Sequence, residues 1–156
     1  MNIRIIAVGK IKEQYLKDAL KEYEKRLISF CNLSVIEILP EQILDESLYE
    51  KYKEAEADKI LQVLKPNSYI ITLEIQGKKF SSESFAKKIQ EITNDGVNDI
   101  TFVIGGANGL HSKISRAADL KLSFSDMTFT HQMIRLLLIE QIYRAFKINS
   151  NEPYHR

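Results

Sequence analysis

The chain has a single cysteine, Cys31, in 156 residues, which excludes an internal disulfide and any cysteine-rich metal site. Nothing beside Cys31 would activate a thiolate, so it reads as a semi-buried thiol, and a reducing, cytoplasmic setting is the expectation. Long hydrophobic runs are missing as well. The longest, such as Leu136 to Ile139, span only a few residues, against the roughly 18 that a membrane-spanning helix needs, so no membrane partner is expected. The opening MNIRIIAVGK acquires charge too promptly for a secretory leader and reads as a first strand. There is no excess of charge of either sign: 22 Lys and Arg face 21 Asp and Glu, a net +1. That balance excludes a polycation binding nucleic acid by bulk electrostatics. His111, His131 and His155 lie far apart, with no H-x-x-x-H pair and no cysteine partner, so no metal is expected.

What is present fits one domain, residues 1–156, with 44% hydrophobic residues to fill one core. The charge is unevenly placed. Residues 1–30 hold seven basic against four acidic side chains, and residues 41–59 hold seven acidic against three basic. The acidic stretch reads as a solvated helix face. The last 26 residues are again basic, four side chains against two. The two basic ends make one footprint for RNA only if the fold or a second subunit brings them together.

Short β-rich runs alternate with helical spacing. Strands are predicted over Asn2 to Val8, Leu33 to Leu39, Ser68 to Ile75, Ile100 to Ile104 and Leu120 to Ser123. The first helix follows Ile11, Tyr15, Leu16, Ala19, Leu20, Tyr23 and Leu27. A charged second helix runs from Glu46 to Leu64, with Leu48, Tyr52, Ala55 and Leu61 expected on its packed side. A third is capped by Ser81 or Ser82 and ends at Asn94-Asp95-Gly96. A short helix runs to Ala118, and a long apolar one from His131 to Ile148. This order implies an α/β fold with a mainly parallel sheet flanked by helices. Ligands in such folds sit beyond the carboxyl ends of the strands, which singles out the loops after Ile75, after Ile104 and over Phe124 to Thr130.

FVIGGANGLH, Phe102 to His111, tempts a phosphate assignment, yet it lacks the Lys and hydroxyl of a P-loop. The first strand-helix turn, Val8-Gly9-Lys10, lacks the glycines of a dinucleotide site, and Glu37 on the second strand reads as solvated rather than as a ribose acid. Gly105 and Gly106 let backbone amides approach a ligand without interference from a Cβ, and Gly109 permits a left-handed turn; the plain alternative is a tight strand-to-helix turn with no ligand. LSFSDMTFTHQ, Leu122 to Gln132, mixes hydroxyls with Phe124, Met127 and Phe129, a composition suited to a flat heteroaromatic ring. His111 reads as an exposed polar residue. His131, at a helix N-terminus, is expected to be a neutral imidazole able to accept a proton. A tail such as NSNEPYHR is ordinarily idle.

Taken in order, IAVGK, EYEKRL, ITLEIQGK, FVIGGANGL, LSFSDMTFTHQMIR, IEQIYRAFKI and the terminal PYHR resemble the RlmH family of the SPOUT methyltransferase superfamily over nearly the whole chain. The resemblance implies a C-terminal trefoil knot, a homodimer and S-adenosylmethionine as cofactor. It also implies methylation of N3 of a pseudouridine in helix 69 of 23S ribosomal RNA. By motif position the cofactor residues are Leu73, Gly105, Phe124, Ser125, Asp126, Met127, Thr128 and Phe129. Thr130 stands where the family pattern leads one to expect proline, and a looser loop is the expectation.

Within that reading, His131 is a candidate base, with water or substrate-assisted loss of the proton equally open, and Arg135 and Arg144 are candidates to stabilise a deprotonated imide. Nine residues separate the arginines, about 2.5 helical turns, so they point to nearly opposite sides. An ion pair with Glu140 is the structural alternative. Tyr154, His155 and Arg156 are candidates to clamp an extruded base. With so small a net charge, an assembled ribosomal surface is the expected substrate. Two rival readings are a non-catalytic nucleotide- or RNA-binding module of the same fold and, more weakly, a flavin-binding protein.

Overall fold

A computed structural model describes residues 1–154; His155 and Arg156 lie outside the described residues. Five strands, β1 (Asn2–Val8), β2 (Asn32–Ile38), β3 (Tyr69–Lys79), β4 (Asp99–Ile104) and β5 (Leu120–Ser123), form one sheet in the order β2-β1-β4-β3-β5. All four pairings are parallel, as expected from the alternation. The central strands β1 and β4 are covered on both faces, and Ile5, Ile6, Phe102 and Val103 have no accessible surface. Such strands read as continuous apolar runs because neither face meets water.

Helices α1 (Gln14–Leu27), α3 (Ser82–Asn94) and α5 (His131–Asn149) cover one face. Their core includes Leu16, Leu20, Phe85, Ile89, Leu138 and Ile142. The other face is smaller: α2 (Tyr49–Val63) and α4 (Ser112–Ala117) bring Ala57, Ile60 and Ile114 onto Ile6, Val8 and Val103. The turn of α2 differs from the expectation. Leu48 and Leu61 are about two-fifths exposed, while Ala57 and Ile60 are buried. Small Ala57 lets the helix backbone approach the sheet, and that fixes which side turns inward. A single 3-10 turn, Glu46–Leu48, precedes α2, with the Asp45 carboxylate accepting from the backbone N–H of Ser47 at 2.9 Å.

Two further departures concern strand ends. β3 runs past Ile75, because after Leu73 pairs with Leu122 the strand bulges and Lys78 pairs with Leu122 again. Gly77 permits this: a Cβ there would lie 2.7 Å from the backbone of Lys121. Ser81, not Ser82, is the cap of α3, its hydroxyl accepting from the N–H of Ser84 at 3.1 Å. No residue of α5 is fully exposed. The helix lies between α1 and α3, which explains its apolar character on several sides without a second subunit.

Candidate functional site

The three strand-end loops singled out above surround one cavity of about 450 Å³, within the range of small-molecule sites. Leu73, Glu74 and Ile75 form one wall and the glycine loop from Gly105 to Gly109 another. Phe124, Ser125, Met127, Thr128 and Phe129 form a third, and the first residues of α5 close the end. Met127 and Phe129 are 75% and 43% exposed. Apolar side chains held at the mouth of an open cavity mark a place where a ligand would cover them.

Gly109 makes the expected left-handed turn, whereas Gly105 is needed for a contact within the loop itself. Gly109 has φ of +75°, and its N–H donates to the carbonyl of Gly106 at 3.0 Å. The loop therefore doubles back on itself, and a Cβ on Gly105 would lie 2.8 Å from the carbonyl carbon of Gly109. The glycine first lets the loop close, and the closed loop then presents its backbone to the cavity. Opposite, the Ser123 hydroxyl donates to the carbonyl of Ser125, and the Met127 N–H donates to the Ser125 hydroxyl at 3.0 Å. Asp126 faces outward, 82% exposed and ion-paired with Lys79, and does not line the cavity.

Thr130 caps α5: its hydroxyl accepts from the N–H of Met133 at 3.2 Å. The expected looseness is therefore offset by a side-chain cap, typically worth about 1 kcal/mol, that a proline could not make. The backbone there, at φ −62°, is one that proline also adopts.

His131 follows and lines the cavity. Burial, then the nearby charges of Arg135 and Lys12, hold its pKa below the ordinary histidine value. The lowered value favours the expected neutral ring, with desolvation its largest cause. The ring packs against Gly9, φ +99°, where a Cβ would lie 2.8 Å from Nε2.

Arg135 is 2% exposed. Its guanidinium donates to Glu37 at 2.6 Å and to the carbonyl of Gly9 at 2.8 Å, and its Nε has no partner among the described residues. Glu37 keeps solvent contact, as expected, and is also the counter-ion of a buried arginine. This link ties the ends of β1 and β2 to the first turn of α5, and so to the cavity.

Arg144 sits at the other end of α5. It pairs with Glu140 at 2.5 Å and stands 4.7 Å from the centre of the Tyr154 ring. Tyr154 packs edge-on against Tyr143, with centroids 4.9 Å apart, and its hydroxyl lies 3.3 Å from both the Tyr23 hydroxyl and Glu140. Burial and these neighbours raise the phenol's pKa above its ordinary range. The tail is therefore seated as far as Tyr154. Neither Arg144 nor Tyr154 lines the cavity.

One cavity residue, Glu74, had no role in the sequence reading, and His111 departs from its expected one. Glu74 lines the cavity, with one oxygen accepting from the buried Thr72 hydroxyl at 2.6 Å and the other from Ser115 at 3.0 Å. Its position directly after Leu73 was the available signal. His111 is the cap of α4, its Nδ1 accepting from the N–H of Lys113 at 3.2 Å, and it is only partly exposed, contrary to expectation. Cys31 is buried, which pushes its thiol up to about 11 and makes it inert. Among the described residues no cluster of His, Cys, Asp and Glu could hold a metal, and no helix is long and apolar enough to cross a membrane.

A parallel α/β sheet whose carboxyl-end loops gather around one aromatic- and glycine-walled cavity defines an α/β domain with a cavity of small-molecule size where such folds place their ligands. A family model described as predicted SPOUT methyltransferase matches residues 1–155. The chain belongs to the SPOUT methyltransferase family. It is 54% identical over 159 residues, covering 100% of both chains, to a protein of Methanococcus maripaludis (strain C5) named putative ribosomal RNA large subunit methyltransferase H. Its fold is similar to the structure of a probable methylase family protein from Haemophilus influenzae Rd KW20. The TM-score is 0.54 at 13% identity, over 99% of this chain and 70% of that one, a likeness of fold alone.

Proposed function

We propose that this methyltransferase uses S-adenosylmethionine to methylate N3 of a pseudouridine in helix 69 of 23S ribosomal RNA, on the assembled ribosome, as a cytoplasmic homodimer. The observation that carries the reading is the full-length 54% identity to a putative large-subunit rRNA methyltransferase. The cavity fits the cofactor chemically: apolar side chains for a flat ring, hydroxyls on Ser125 and Thr128, and exposed backbone at Gly105. Leu73, Gly105, Phe124, Ser125, Met127, Thr128 and Phe129 would hold it. Asp126 would act from outside, through Lys79 and the shape of the loop. When bound, the cofactor supplies an electrophilic methyl group on sulfonium.

The protein's part is to orient an RNA base and manage one proton. His131 lines the cavity as a neutral imidazole and can accept the imide proton at N3. Arg135, already committed to Glu37 and Gly9, acts as a positioning residue that fixes the first turn of α5. Arg144 retains its place beside an aromatic ring on the surface formed by α1 and α5. It can stabilise the imide anion only at a cavity contributed by a second subunit, which is why the homodimer belongs to the proposal. Tyr154, His155 and Arg156 would clamp the base there. The C-terminal trefoil knot implied by the resemblance belongs to the proposal too.

The test is transfer of a labelled methyl group from S-adenosylmethionine to ribosomes from a strain lacking the modification, alongside deproteinised rRNA. Label in large-subunit rRNA of the ribosomes, with little in naked RNA, is the expected result. Tight cofactor binding with no label in either would favour a non-catalytic module.

A further inference from the structure

We propose that the groove beside the β1-α1 turn is a docking surface for the phosphodiester backbone of the substrate RNA. This rests on the reading that the substrate is RNA, and names where on the chain it lies. The groove, about 530 Å³, is lined by Lys10, Lys17 and Lys21 around a floor that includes Ile11, Leu20 and Val35. Its acids are Glu24 and Glu37, and Glu37 is already paired with Arg135. The three lysines are exposed, and none has an ion-pair partner among the described residues.

Elsewhere many lysines are paired: Lys59 with Glu41, Lys65 with Asp99, Lys113 with Glu54, Lys147 with Glu152. Unpaired cations gathered in one place are what an anionic polymer needs, because each phosphate contact releases a condensed counter-ion. Lys17 and Lys21 stand one turn apart on the same side of α1. An apolar floor between such rims suits riboses or unstacked bases, with phosphates at the lysines.

The groove also adjoins the cavity. The backbone N–H of Lys12 donates to the side chain of Gln132 at 2.7 Å, and Gln132 and His131 line the cavity. Arg135, one turn on, lines the groove. A strand lying in the groove therefore passes directly to the place where a base would be presented. A second copy of the chain is the poorer occupant. In its acidic segment Glu41, Glu54 and Asp58 are already paired with Lys59 and Lys113.

The experiment is pelleting of the full chain with purified ribosomes over a range of salt. It compares the wild type, the double variant Lys17→Glu/Lys21→Glu and the charge-preserving Lys17→Arg/Lys21→Arg. Thermal melting and calorimetric titration with S-adenosylmethionine serve as controls. The charge reversal should weaken ribosome binding on the order of 100-fold at low salt and lower the slope of log affinity on log salt by about 1.4, at about 0.7 per lost single-strand contact. The arginine variant should match the wild type, and cofactor affinity should be the same in all three. Affinity and slope within twofold of the wild type in the reversed variant overturn the proposal, as does a wild type that fails to pellet. So does a reversal that dissociates a dimer in sedimentation while ribosome binding stays intact. If the reversal abolishes pelleting but the wild type methylates no large-subunit rRNA, the functional reading fails and the groove stands. Methyl transfer by the reversed variant at an unchanged KM for ribosomes sinks the groove and leaves the function.

Discussion

The two ends of α5 each carry an arginine, and the two sit in opposite surroundings. Arg135 is buried, shared between Glu37 and a backbone carbonyl, and adjoins the residues that close the cavity. Arg144 is one-fifth exposed, paired with Glu140 on its own helix and stacked near Tyr154. A buried guanidinium whose partner is removed leaves an uncompensated charge, whereas an exposed one is re-solvated. The first arrangement fixes geometry. The second holds its cation against Glu140 and Tyr154 nearer the surface. Equal residue types on one helix thus sit in different surroundings, and the proposal gives structure to one end and chemistry to the other.

The cavity end breaks most completely at Gly105. Gly105→Val drives a side chain into the backbone of Gly109, and calorimetry should show cofactor affinity falling at least about 100-fold, roughly 3 kcal/mol, while circular dichroism is unchanged. The comparison itself is tested by Arg135→Leu and Arg144→Leu. Arg135→Leu should lower unfolding free energy by about 2–4 kcal/mol in urea titration, somewhat under the range for fully buried pairs because Glu37 keeps some solvent. Arg144→Leu should lower stability by under about 1 kcal/mol with cofactor affinity unchanged, while kcat for methyl transfer falls on the order of 100-fold. If both variants lose stability equally, or Arg144→Leu keeps full kcat, the division of roles is wrong.

Much of this organisation was legible in the chain. The alternation of patterns gave all five strands, because buried parallel strands such as Ile3 to Val8 have no polar face to blur them. The three cavity loops followed from the rule that ligands lie beyond strand ends, and seven of the eight cofactor residues implied by the motif resemblance line the cavity. What stayed hidden depends on long-range contact. Glu37 and Arg135 lie far apart in sequence, and nothing local tells a solvated glutamate from one that holds an arginine. The bulge that carries β3 on to Lys79 depends on Gly77 meeting Lys121, a contact visible only once β5 is placed. Likewise the buried side of α2 was set by Ala57, whose small size gives a weak hydrophobic signal. Tyr154 looked like part of a loose tail because its partners, Tyr23 and Glu140, come from other turns and helices.

Smaller effects sharpen the same contrast. Thr130→Ala removes the cap of α5 and should lower stability by about 1 kcal/mol and loosen cofactor binding slightly. Thr130→Pro also loses the cap but stiffens the loop, so it should recover affinity relative to Thr130→Ala at similar stability. The pH response of His131 is subtler. Its pKa in the folded chain lies below the ordinary value of 6.5, so folding disfavours the imidazolium. The associated stability is present above pH 6.5 and is lost as pH falls through the lowered value. Methyl transfer that needs the neutral ring should be flat near pH 7 and fall only in more acidic buffer. In an NMR titration Arg135→Leu should move the His131 pKa upward, because one neighbouring charge is gone, and Arg144→Leu should leave it in place. An upward shift of equal size in both would mean that His131 does not sense the buried pair.

The most direct measurement is mass-spectrometric mapping of the methyl group after incubation of the protein and S-adenosylmethionine with ribosomes lacking the modification. One new methyl at N3 of a pseudouridine in helix 69 of the large-subunit rRNA, absent with Gly105→Val, is the predicted result. Methylation at any other atom or nucleotide, or none from a protein that binds the cofactor, would contradict it.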